Sequence, residues 1–186
     1  MSTQTASPRS VPQSTATSST GNMLIILGLV AGGVLGMAGT FVKAPNLHAE
    51  AWTIDGVGVI IATVLLALRF FRQGVDLVAG GFLIFALGES VMSIGNVVGP
   101  AASSAAFQAG AALWAAGLLL TAGPKAFALP TRLAGLIAGV LFAVVSVQIA
   151  WGNPLTAISQ PLPSFAYPFL VLTFAGWIWH VAKRRA

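Results

Sequence analysis

The chain reads as six long apolar runs separated by short polar or Gly/Pro-containing breaks. A helix rises about 1.5 Å per residue, so a hydrocarbon core about 30 Å thick needs about 20 apolar residues to cross it. Runs of that length predict helices over about Met23–Val42, Trp52–Phe71, Val75–Asn96, Ala102–Ala122, Thr131–Trp151 and Ser164–Val181. The expected fold class is therefore all-α: a polytopic integral membrane protein with six transmembrane helices, both termini cytoplasmic. Residues 1–22 are rich in Ser, Thr, Gln and Pro with a single charge, Arg9, and hold too little apolar surface to offset the entropy of ordering. They are expected to be a disordered cytoplasmic tail, followed by a transmembrane domain over 23–182 and a basic cytoplasmic tail over 183–186.

The breaks refine this picture. Lys43 to Ala51 is polar and reads as a loop, which makes Thr53 the expected N-cap of the second helix. Asp55 would then lie in the first turn, where the positive end of the helix dipole favours an acid. Gln73-Gly74 leaves room only for a tight hairpin, so the second and third helices should be antiparallel neighbours. Gly99-Pro100 and the proline-rich loop from Gly152 to Pro163 mark two further turns.

Charge orients the bundle. With six spans, one side collects Arg9, Arg69, Arg72, Lys125, Arg132 and the Lys183–Arg185 cluster, whereas the other holds only Lys43. The positive-inside rule makes the first side cytoplasmic. Trp52 and Trp151 then mark the outer interface, and Trp177 and Trp179 the inner one. Gly and Ala richness with few lysines fits a bacterial inner membrane.

Composition narrows the function classes. Hydrophobic residues make up 56% of the chain and charged ones 7%, against about 25% charged in ordinary soluble domains. The net charge of +5 forms no interleaved basic patch, so no nucleic-acid partner is expected; the partner in view is the lipid bilayer. Absence of cysteine removes disulfides, thiolate metal sites and a cysteine nucleophile. No Gly-x-Ser-x-Gly or His-Glu-x-x-His motif occurs, so no catalytic residue, metal site or cofactor is assigned and the chain leans away from an enzyme.

One residue resists a purely structural account. Glu89 lies inside an apolar run, roughly 21 Å along its helix. Facing lipid there, a carboxylate costs on the order of 2.5–3.5 kcal/mol, so it is expected to face the bundle interior or a wet cavity. Ser93 and Asn96 follow on the same helix face. With the threading above, Asp55, Gln108 and Gln148 fall at a similar depth, in the outer third. The candidate binding residues are thus Glu89, Ser93, Asn96, Asp55, Gln108 and Gln148, and the expected function is a small transporter or channel for a proton, cation or small polar solute. The alternative is a non-catalytic structural or assembly subunit of a membrane complex. It rests on two small-residue stripes, Gly28, Gly32, Gly36 and Gly135, Gly139, which could pack a second copy or another membrane protein.

Overall fold

A computed structural model describes residues 17–42, 44–98, 100–157 and 159–183, with backbone only at 17, 18, 45, 96–98 and 100–102. Six helices and no strand occur among the described residues: α1 (Thr17–Gly39), α2 (Pro45–Arg72), α3 (Asp76–Val98), α4 (Pro100–Ala122), α5 (Leu129–Ala150) and α6 (Ala166–Lys183). The first five are long and apolar enough to cross a membrane. Each helix packs on its chain neighbours, and α6 returns to α1, so the six form a closed ring.

Two boundaries differ from the sequence expectation. Helix α1 starts at Thr17, so Asn22 lies inside it rather than in a tail. There Asn22 is 8% exposed and its Oδ1 accepts a hydrogen bond of 2.8 Å from Arg69 Nη1 on α2. Residues 1–16 and 184–186 lie outside the described residues. Helix α2 begins at Pro45, seven residues ahead of the expected Trp52. Proline opens it because its fixed φ suits a first helical turn and its missing N–H has no intrahelical partner to lose. Thr53 is consequently not an N-cap: it sits inside α2 and its hydroxyl donates to Ala49 O at 2.8 Å. His48 Nδ1 lies 2.8 Å from Gly39 O, and a carbonyl only accepts, so the proton is on Nδ1 and His48 closes the end of α1.

The turns follow helix-stop chemistry. Gly74 (φ +69°) sits one residue beyond the C-cap of α2; its N–H donates to Phe71 O, and Val75 N–H donates to Phe70 O. Gly152 (φ +92°) ends α5 in the same way, with donations from Gly152 to Ile149 O and from Asn153 to Gln148 O. Both are Schellman motifs, and the positive φ is what selects glycine. Arg132 Nε and Nη2 donate to Ala122 O and Gly123 O, satisfying carbonyls at the end of α4.

Packing is inverted relative to a water-soluble bundle. On α5 the small residues Ala134, Gly135, Ala138 and Gly139 face inward, joined by Phe142 and Val145. Leu133, Ile137, Val140 and Val144 face outward. Small residues let backbones approach, while large aliphatic side chains on the outside cost nothing in lipid. The ring does not enclose an open pore. A column of aromatic side chains fills it: Phe70, Phe127, Phe82, Trp177, Phe85, Phe174, Trp114 and Phe142, with neighbouring ring centroids 4.7–6.3 Å apart. Trp177 is 1% exposed within that column, so it is core and not an interfacial anchor. Trp179, two residues on and turned by about 200°, is the exposed one.

Candidate functional site

The aromatic column stops short of the bundle end where α1 meets α2 and α5 meets α6. There the ring encloses a cavity of about 60 Å³, walled by α1, α2, α3, α4, α6 and the α5–α6 loop. Asp55 of α2 and Glu89 and Ser93 of α3 face it, together with Trp52, Met92, Ser103, Phe107, Trp114, Ala157 and Tyr167. Asp55 and Glu89 also border a second, deeper space of about 20 Å³, reaching Val59, Leu170 and Phe174. The two carboxylates therefore stand between an upper chamber and a smaller one against the aromatic column.

Asp55 reaches this position because α2 starts early. It lies about three turns into the helix, beyond the reach of the N-terminal dipole, so the first-turn account of this acid fails. Its room comes from α1. A Cβ on Gly36 would stand 2.7 Å from Asp55 Oδ2, and one on Gly32 would stand 3.2 Å from Oδ1. Gly56, the residue after Asp55, makes room for α3: a Cβ there would meet Ser93 Oγ at 2.7 Å and Glu89 Oε1 at 3.1 Å. Three glycines thus remove the side chains that would otherwise fill the carboxylate positions.

Glu89 is 7% exposed, and its carboxylate shares the cavity with that of Asp55. Among the described residues, no Lys, Arg or His side chain lines either chamber. The fully buried indole N–H of Trp114 neighbours Glu89 without reaching hydrogen-bond geometry, and no other acceptor serves it among the described residues. Among the described residues the site therefore holds two acids without a counter-charge and a buried donor without an acceptor. Both deficits cost free energy in a dry interior and are relieved by water or a polar, positively charged guest.

The sequence-predicted residues divide here. Asp55, Glu89 and Ser93 converge. Gln108 is half-buried but turned off the wall, because its neighbour Phe107 takes the cavity-facing position and successive helical residues point about 100° apart. Gln148 lies on α5, which contributes no wall residue. Asn96 is in the last turns of α3, and its side chain lies outside the described residues. His48 and Glu50 stand on the first turns of α2, and no three His, Asp or Glu side chains converge among the described residues. The aromatic walls lie outside the sequence-predicted set. Tyr167 is the one tyrosine in the chain, and it was a signal available in the sequence.

The stripe glycines have defined neighbours within the chain. Gly28 abuts Gly58 and Ala62 of α2, Gly135 faces Ala122 and Thr173, and Gly139 faces Leu119 and Ala115. Compared with family models, curated proteins and solved structures, the chain has no match.

Proposed function

We propose that this is a small carrier of the membrane, crossing it six times with both termini cytoplasmic, that receives a proton, cation or small polar solute into the Asp55–Glu89 cavity from the outer side. One observation carries the reading: two carboxylates on adjacent helices face one cavity, and among the described residues no cationic side chain lines it. Inside a low-dielectric bundle, two like charges repel strongly and attract a positive guest far more than they would in water. The orientation is supported by the basic residues Arg69 and Arg72, Lys125, Arg132 and Lys183, all at the bundle end away from the cavity. Composition supports a bacterial inner membrane as its location.

A carrier fits better than an open channel, because the aromatic column fills the lumen below the deeper chamber. Passage of a solute needs those rings to move, as alternating access requires, whereas a channel needs a continuous wet path. The assembly-subunit reading has less support: Gly28, Gly32, Gly36, Gly135 and Gly139 are already in close contact with helices of their own chain.

The test is Glu89→Gln in proteoliposomes carrying a pH-sensitive dye and loaded or unloaded with candidate cations. The amide keeps the shape and most hydrogen-bonding capacity of the side chain while removing the charge. Wild type is expected to move protons or cations down an imposed gradient, and Glu89→Gln to lose that flux with its elution and thermal unfolding unchanged. Equal flux in the two proteins would refute the carrier assignment.

A further inference from the structure

Taking the Asp55–Glu89 cavity as a cation site, as proposed above, we propose that its ligand is a small organic ammonium ion rather than a metal ion. The first argument is the wall chemistry. Two carboxylates sit among Trp52, Phe107, Trp114 and Tyr167, with Met92 beside them. An ammonium ion with alkyl substituents uses both kinds of wall: the carboxylates balance its charge, and aromatic faces and thioether take its CH₂ or CH₃ groups by cation–π and dispersion contact. A hard metal ion uses only the first kind. Ca²⁺ takes about six to eight oxygen ligands and Mg²⁺ a near-ideal octahedron, whereas no three acidic or His side chains gather among the described residues.

The second argument is size. A water needs roughly 10–15 Å³ of such space. The chamber of about 60 Å³ therefore holds on the order of four to six water-sized groups. That suits an ion of a few heavy atoms, such as ethylammonium or tetramethylammonium. A proton site needs no such volume, and a dehydrated alkali ion would leave most of it unfilled.

The third argument is a buried donor beside the acids. Trp114 is 6% exposed, its indole N–H has no acceptor among the described residues, and it lines this same chamber. A buried N–H left unpaired points to a guest or water that supplies an oxygen. Its ring stacks on Phe85, 5.2 Å away and within 4° of parallel, which favours the position that aims the N–H at this chamber.

The experiment is equilibrium binding of labelled tetramethylammonium to the full chain in nanodiscs, with ethylammonium, tetrabutylammonium, Na⁺, K⁺, Mg²⁺ and Ca²⁺ as competitors at matched ionic strength. Expected is saturable binding that ethylammonium displaces, that the metal ions do not displace, and from which tetrabutylammonium is excluded by size. Glu89→Gln and Asp55→Asn should each abolish it, and Trp52→Leu should weaken it about tenfold, the order of a desolvated cation–π contact. The two carboxylate variants are checked for monodisperse elution, so that a misfolded one is replaced by the other. If a metal ion binds in a Glu89-dependent manner and tetramethylammonium does not, the ligand class is wrong and the cation site stands. If no cation binds, both readings fall. Tetramethylammonium binding that survives both carboxylate changes also overturns the proposal.

Discussion

Replacing Gly56 with alanine separates the cavity from the fold. The new Cβ would stand 2.7 Å from Ser93 Oγ and 3.1 Å from Glu89 Oε1. Both struck atoms are ends of side chains bordering open space, so they can turn aside. An off-rotamer side chain costs about 0.5–1.5 kcal/mol. Alanine in place of a mid-helix glycine returns about 0.8–1 kcal/mol of helix propensity. The two nearly cancel, and stability should stay within about 1 kcal/mol of wild type. Gly28→Ala is the control. Its Cβ would collide with the Gly58 carbonyl oxygen, a backbone atom of α2 that cannot turn away. There α1 and α2 must part, at about 1–3 kcal/mol or more for overpacking. Binding should move the other way. In Gly56→Ala the new methyl group displaces Ser93 Oγ and the Glu89 carboxylate, both of which line the chamber, so cation binding should fall at least about tenfold, equivalent to 1.4 kcal/mol. Gly28 lies outside both chambers, so Gly28→Ala should bind in proportion to its folded fraction. Thermal unfolding in detergent and cation binding in nanodiscs measure the two axes. Gly56→Ala that unfolds as readily as Gly28→Ala, or that binds like wild type, would refute this account of the glycine.

Two further predictions concern the scaffold. Trp177→Ala empties the centre of the aromatic column, where the indole touches Phe82, Phe85 and Phe174, and should cost about 3–5 kcal/mol; a melting temperature within a few degrees of wild type would mean that the column collapses around the gap. Asn22→Ala removes the hydrogen bond from Arg69 and should cost about 1.5 kcal/mol, the low end for a bond to a charged group because Arg69 can reach the interface; a silent substitution would mean that α1 is not tied to α2 there.

Much of the molecule was legible in the chain itself. Apolar runs of bilayer length mark out the helices, because a lipid-facing backbone must satisfy its own hydrogen bonds and has little choice but to be helical. Gly74 and Gly152 announce their turns, since each ends a helix with a positive φ. Glu89 announced itself because a carboxylate in an apolar run has a cost that few arrangements relieve. What could not be read was which faces meet. The polar residues ahead of Asp55 read as a loop and make it a helix-start acid, yet Pro45 opens the helix and carries Asp55 three turns inside. Gln108 and Gln148 share the depth of the cavity but not its direction, and depth along a helix follows from counting residues, whereas direction depends on how six helices settle against one another. Trp177 passed for an interface anchor for the same reason: only the closed ring turns it inward and leaves Trp179 outside. The sequence determined the helices, though not where α1 and α2 begin, and the one acid in need of an explanation. The tertiary structure decided its company, because convergence depends on long-range packing, here on glycines that let α1, α2 and α3 approach closely enough for Asp55 and Glu89 to share one cavity.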